Sequence, residues 1–511
     1  MSAQTLTRLR DCPSATHAGK GCRGKAARTI VALLALLCAG SAAAATAKNI
    51  VGAWLSPSAD DWPLVAIHMV LTPDGRVLTY GSNNAGAATQ QTGFFIYDVW
   101  DPSEGLSGGH MTLNNMTLTD LFCSAQVLLP ESGDVFLAGG DHWNGTAVTN
   151  VGNNNTNLFR YTDNTLTRAN NMNAPRWYAT TTVLSNGEIY IQGGVDGNDY
   201  PEVRATNGSF RKLTNVRTQG LIDYWYPRNF LAPDGRIFGF DSTSGLMYYV
   251  NTAGTGSIKT VGTFPTKYSK HMGSAAMFRP GKILQLSGKS TGAAIIDING
   301  ATPQVTATKP MSSIRKWVTA TVLADGRVLA TGGSRLSNQL VDVNNKAELW
   351  DPVTGNWTVG PSGSRPRLYH STALMLPDAS VLVAGGGTPG PVTNLHAEIY
   401  YPPYLYDTSG NFAARPRITF APDTLNVHET FSMGIDVSNV SRVTLVKTGA
   451  VSHSFNMDQR FLQLPFTESS KTLFVQTPQN ANIAPPGYYL LFVFNSQGVP
   501  SIGKIVRMNI D

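Results

Sequence analysis

A chain of 511 residues exceeds what one compact core supports, so it divides into several domains or builds a repeat architecture. Fifty Gly and 29 Pro against 14% charged and 42% hydrophobic residues exclude a disordered chain and a helical bundle, and point to an all-β fold. The net charge of +6 does not mark a polyanion partner: six basic residues (Arg8, Arg10, Lys20, Arg23, Lys25, Arg28) and one acid (Asp11) lie in the first 44 positions, the remainder is nearly neutral, and no nucleic-acid partner is expected.

Residues 1–44 have the form of an export signal. A basic stretch ends at Arg28, an apolar run covers residues 29–38, and the small residues Ser41 to Ala45 follow, which places cleavage near Ala44 or Ala45. Ten apolar residues fall short of the roughly 20 that span a bilayer, so secretion to the periplasm or the exterior is expected, with no membrane insertion once the signal is removed. Cys12, Cys22 and Cys38 leave with the signal, and the mature chain keeps Cys123 alone. A lone thiol in an oxidising compartment is buried or chemically used.

From His68 onward one pattern recurs seven times: an apolar segment, a Pro/Asp/Gly-type turn, then a β-branched run ending in small residues. HMVLTPDGRVLTYGS starts at His68, QVLLPESGDVFLAGG at Gln126, TTVLSNGEIYIQGG at Thr181 and NFLAPDGRIFGF at Asn229. AAMFRPGKILQLSG at Ala275, ATVLADGRVLATGG at Ala320 and ALMLPDASVLVAGG at Ala373 complete the set. Each copy reads as a hairpin whose turn supplies positive φ. The turns recur about every 45 to 58 residues, near the roughly 50 of kelch repeats, and further strands follow most copies. The prediction is a seven-bladed kelch-type β-propeller over residues 45–406. After the Tyr/Pro-rich stretch 400–406 the period stops, and residues 412–511 read as a small immunoglobulin-like (early-set) β-sandwich.

The residue eight positions before each turn is Ala66, Cys123, Tyr178, Tyr226, Met272, Trp317 and His370. Equivalent positions in a propeller share one height, so these seven should ring one end of the channel. Two readings stand for the ring. Cys123, Tyr178 and His370, with Tyr369 beside His370, suit a metal or redox site, imidazole and phenolate being donors for Cu(II); ordinary packing or an aromatic sugar-binding mouth explains the rest. His142, His271 and His428 read as ordinary histidines.

Four stretches carry a resemblance: Asp120-Leu-Phe-Cys123, Arg176-Trp-Tyr-Ala-Thr180, Arg367-Leu-Tyr-His-Ser371 and Ser452-His-Ser-Phe-Asn-Met-Asp-Gln-Arg460. In this order they resemble the galactose oxidase and glyoxal oxidase family of copper radical oxidases, and the local motifs look more like the glyoxal oxidase branch. The resemblance implies one copper ion held by Tyr178, Tyr369, His370 and His453, with His453 brought along the channel by a loop of the sandwich. It implies a Cys123–Tyr178 thioether, with Tyr178 as the radical site and Tyr369 as the group that accepts the substrate proton. The implied reaction oxidises a primary alcohol or hydrated aldehyde with O2 to an aldehyde or carboxylic acid plus H2O2.

Two departures from the family pattern bear on substrate. Galactose oxidases carry a shielding tryptophan about eighteen residues after the cross-linked tyrosine, where this sequence has Asp196, so Trp143 or Trp317 becomes the substitute shield. The carbohydrate-binding domain that precedes the propeller in fungal galactose oxidases is missing between signal and first blade. Small aldehydes or simple primary alcohols are therefore expected ahead of a carbohydrate substrate such as galactose. A galactose-specific oxidase, or a non-catalytic kelch propeller binding glycan or protein, is the alternative.

Overall fold

The structure is a computed structural model, and it describes residues 48–55, 62–83, 91–269 and 272–510. The predicted signal 1–44, with Cys12, Cys22 and Cys38, and His271 lie outside the described residues.

Among the described residues seven antiparallel blades follow one another along the chain, each with four strands. The first runs His68–Leu71, Val77–Tyr80, Ile96–Trp100 and His110–Asn114. Burial explains the order. Innermost strands such as His68–Leu71, Ala125–Leu128 and Thr319–Val322 are buried along their whole length, while outer strands such as His110–Asn114 and Thr165–Ala169 alternate toward solvent. The turn glycines Gly75, Gly187, Gly235 and Gly326 sit at φ +85°, +81°, +85° and +86°, the conformation the Asp-Gly and Asn-Gly pairs predict. The seventh blade takes its outer strand from the start of the described chain: Ala53 and Trp54 pair with Tyr401 and Tyr400. This ties the first described residues to the last blade.

Two sheets with strands between Ile418 and Met508 form the sandwich. Val443, Leu445, Leu473, Tyr489, Leu491 and Val506 fill its core. Between its strands Arg442–Lys447 and Phe461–Leu464 the chain leaves the sandwich and returns. The excursion is a hairpin, Ala450–Ser452 with Phe455–Asn456, rather than the loop the sequence suggests. It pairs with the inner strand of the first blade, His68 opposite Ser452 and Val70 opposite Ala450, and extends that sheet to six strands.

Several blades grip the hairpin. Gln126 Nε2 donates to Val451 O at 3.0 Å, and Gln459 exchanges hydrogen bonds with Ala320 O and Val322 N at 2.8 and 2.9 Å. Asn456 Oδ1 accepts from the Ala450, Asp458 and Gln459 amides and turns the chain back. Lys447 and Asp458 form a buried ion pair at its base.

Candidate active site

The ring read from the repeat exists in the structure. Cys123, Tyr178, Tyr226, Trp317 and His370 adopt φ of +56°, +74°, +39°, +69° and +68°, a region non-glycine residues rarely enter. Their backbones are linked around the axis, with Tyr178 N donating to Cys123 O at 3.0 Å, Tyr226 N to Tyr178 O at 2.9 Å and Trp317 N to Met272 O at 2.7 Å. Left-handed backbone turns each side chain away from its strand. Buried arginines hold three of these corners. Arg176 bonds Glu202, Gly193 O and Gly197 O; Arg315 bonds Glu348 and Gly332 O; Arg367 bonds Glu398 and Gly385 O.

Five side chains meet at the axis. The hydroxyls of Tyr178 and Tyr369 lie 2.9 Å apart. The His453 ring sits 5.4 Å from Tyr178, 5.3 Å from Tyr369 and 4.6 Å from His370, centre to centre. Its Nε2 is 3.2 Å from Cys123 Sγ, while its Nδ1 is held 2.5 Å from Ser452 Oγ. Tyr369 stacks on His370 at 3.7 Å. Thus Cys123, Tyr178, Tyr369, His370 and His453 converge, although Cys123 and His453 are separated by 330 positions.

The protonation pattern suits a metal. His370 Nδ1 donates to Gly387 O at 2.8 Å, which leaves Nε2 as the lone pair; that atom is buried and has no hydrogen-bond partner. Burial holds His370 down at about 3 and His453 well below the usual imidazole range, so both are neutral donors at neutral pH. One donor atom each from Cys123, His370 and His453 lies within 4.8 Å of the others. An orphaned imidazole nitrogen, a second neutral imidazole and two facing phenols form a donor set that fits copper. Burial pushes Tyr178 and Tyr369 well above the usual phenol range, with Cys123 adding to both, so without a cation both stay protonated. Burial likewise pushes the Cys123 thiol up, opposed by hydrogen bonding to Tyr178.

The indole over Tyr178 is neither of those expected. Trp225 stacks on the phenol at 4.0 Å and 22°, from the loop that enters the next blade. Trp143 instead packs on Phe94 and Phe95 at 5.9 and 5.1 Å, and Trp317 on Tyr369 at 4.6 Å. Asp196 accepts from Gly152 N at 3.0 Å and leaves the space over the phenol to another blade. A signal for Trp225 existed: it precedes ring residue Tyr226 as Trp177 precedes Tyr178 and Tyr369 precedes His370. His68 begins the first repeat copy, but nothing in that motif signalled its burial against Cys123. His142 and His428 are exposed.

Known proteins resemble the chain in sequence and fold. Residues 415–508 match the family model "Galactose oxidase-like, Early set domain". The chain is 28% identical to galactose oxidase of Gibberella zeae over 490 residues, covering 88% of this chain and 69% of that protein. It is 27% identical to aldehyde oxidase GLOX of Vitis pseudoreticulata over 379 residues, 65% of this chain and 72% of the relative. A solved structure described as a novel fungal alcohol oxidase with catalytic diversity among the AA5 family, in complex with copper, shares the fold at TM-score 0.79 and 23% identity, covering 90% of this chain and all of that one. By sequence and fold the chain is a homologue of galactose oxidase and of the aldehyde oxidases, a galactose oxidase-like oxidoreductase.

Proposed function

We propose that the chain is a secreted copper radical oxidase that converts primary alcohols or hydrated aldehydes to aldehydes or carboxylic acids while reducing O2 to H2O2. The observation that carries this reading is the meeting of the Tyr178 and Tyr369 hydroxyls, 2.9 Å apart, beside the unpartnered Nε2 of His370. Tyr178, Tyr369, His370 and His453 would hold the ion. Bound copper supplies a one-electron centre and a Lewis-acidic position for the substrate hydroxyl. Tyr369 is then placed to take the hydroxyl proton, and oxidised Tyr178 to take a hydrogen atom from the adjacent carbon. A thioether to Cys123 makes the phenol easier to oxidise, and Trp225 covers its face. The reaction balances as alcohol plus O2 giving aldehyde plus H2O2.

Trp177 and Trp225 lie 4.3 and 4.0 Å from the Tyr178 ring, and Trp317 4.6 Å from Tyr369. Crowding by these indoles favours small aldehydes and simple primary alcohols over a pyranose. Peroxide production across aldehydes, alcohols and galactosides tests this, and a clear preference for galactose favours the galactose-specific alternative. Secretion rests on the signal-like residues 1–44, and N-terminal sequencing of the exported protein tests it.

The chemistry itself is tested by intact mass. Copper loading in air should remove two hydrogens, about 2 Da, and protect Cys123 from alkylation. A second reading has its own observation. Cys123, His370 and His453 alone resemble a His2Cys copper set, and their donors lie within 4.8 Å. Unchanged mass with intense thiolate-to-copper absorption would favour that electron-transfer site over the oxidase.

A further inference from the structure

His68 opens the inner strand of the first blade and faces two partners. Its backbone pairs with Ser452, the residue before His453. Its side chain is fully buried, and Nε2 lies 3.1 Å from the backbone nitrogen of Cys123. An amide N–H only donates, so Nε2 carries no proton and Nδ1 does. Nδ1 donates to Gln126 Oε1 at 3.2 Å, and that oxygen also accepts from the Tyr80 hydroxyl at 3.1 Å. Gln126 is fixed in turn by its bond to Val451 O at 3.0 Å. The imidazole lies flat on Tyr80, 4.3 Å away at 2°. Gly81, at φ +117°, leaves the ring its space, since a Cβ there would stand 2.8 Å from His68 Cδ2. Burial lowers His68 to about 3, which keeps this tautomer neutral.

The peptide of Cys123 needs such a partner. Its φ of +56° is unfavourable for a residue with a side chain, and its N–H points into the interior, where an unpaired donor is penalised. His68 supplies the acceptor and so selects the peptide orientation that sends Sγ toward the axis, 3.2 Å from His453 Nε2. One residue therefore sets the cysteine through its side chain and the His453 hairpin through its backbone.

We propose, resting on the oxidase reading, that His68 is a positioning residue that presents Cys123 Sγ to the Tyr178 ring for thioether formation. In that step the Cys123 S–H bond and one Tyr178 ring C–H bond break and one S–C bond forms. Two protons and two electrons pass to O2, which leaves as H2O2. His68 neither gives nor takes a proton; it fixes the sulfur.

The experiment adds Cu(II) and air to metal-free protein and follows the loss of about 2 Da and of Cys123 alkylation with time, alongside metal content. Wild type is compared with His68→Phe, His68→Gln and Gln126→Leu. Loss of one buried acceptor should slow cross-linking in His68→Phe roughly ten- to a hundredfold, with copper content within about twofold of wild type. His68→Gln restores an acceptor and should recover most of the rate; Gln126→Leu, which frees the tautomer, should fall between. Cross-linking of folded His68→Phe at the wild-type rate, or a His68→Gln no faster than His68→Phe, overturns the role. If His68→Phe does not fold, an unslowed Gln126→Leu overturns it. A wild-type chain that loses no hydrogens overturns the oxidase reading and this proposal with it, whereas equal cross-linking in wild type and variants overturns only the role of His68.

Discussion

Replacing Trp225 by leucine should raise the potential of oxidised Tyr178 and shorten its life. The indole lies 4.0 Å from the phenol at 22°, a stacked pair, and its own neighbours Tyr224 and Trp317 stand further off at 6.1 and 6.5 Å. Aromatic pairs contribute about 0.5–1.5 kcal/mol beyond area burial. Oxidation makes the phenol ring electron-poor, so the electron-rich indole face binds the oxidised form more strongly. A differential of about 1 kcal/mol corresponds to about 40 mV for one electron, since a tenfold change is 59 mV. Trp225→Leu should therefore lie about 40 mV above wild type, and Trp225→Phe, which keeps a smaller ring, about half as far. Trp143→Leu serves as control, because Trp143 packs on Phe94 and Phe95. The assay is a redox titration of copper-loaded protein on the absorption of oxidised Tyr178, with its decay in buffer. A Trp225→Leu potential within about 10 mV of wild type and unchanged decay, or an equal shift in Trp143→Leu, refutes the assignment of the shield.

Glu202→Leu leaves the Arg176 guanidinium buried without its carboxylate, whose Oε1 lies 3.1 and 3.0 Å from Nε and Nη2, and should cost about 3–5 kcal/mol in chemical denaturation; Glu348→Leu should do the same through Arg315, and a loss under about 1 kcal/mol in both would show that the clamps matter little. In copper-free protein His370 is held at about 3 against an ordinary 6.5, so the unfolded chain binds the extra proton and this residue's contribution is lost as pH falls below about 6.5. His370→Phe should thus gain about 2.5 kcal/mol relative to wild type between pH 7 and 4.5, and a pH-independent difference between the two would refute the neutral buried imidazole. Tyr178 and Tyr369 are both protonated without a cation, so if they ligate, copper affinity should rise about tenfold per pH unit for each phenolic proton expelled, and competition titrations at pH 6, 7 and 8 with no slope would show that neither phenol ligates.

The blades were legible because their turns are chemical. Each turn holds a left-handed residue, Gly133, Gly187 and Ala379 in the copies after Cys123, Tyr178 and His370; the turn fixes register, and register fixes which residue stands eight positions earlier, so these three could be placed in one ring from spacing. Tyr369 and His453 needed the resemblance, since neither occupies a ring position. His453 arrives on a hairpin too short to signal a strand, and only pairing with His68–Val70 gives it that form. The two-residue strand Ala53–Trp54 was equally silent, because it exists by pairing with residues about 350 positions away. Trp225 carried a mark, its place before Tyr226, but which indole covers Tyr178 depends on how adjacent blades pack, and the residue at the expected spacing, Asp196, bonds Gly152 instead.

The small residues that end each repeat explain how the ring tolerates its backbone. Five non-glycine residues at positive φ carry an unfavourable term of about 1–2 kcal/mol each, yet glycine there would delete the side chains that meet at the axis. The relief comes from glycines on the facing strands. A Cβ on Gly139 would stand 2.1 Å from Arg176 O, and one on Gly385 would stand 2.4 Å from Ala66 O and 2.5 Å from His370 O. Removing these Cβ atoms lets one blade's corner press against the next, so Gly140 N reaches Arg176 O at 2.9 Å and Gly333 N reaches Arg367 O at 2.7 Å. Strain at the ring is thus balanced by close backbone approach one strand away, and the Gly-Gly endings of the repeat are as much a part of the site as the side chains that converge there.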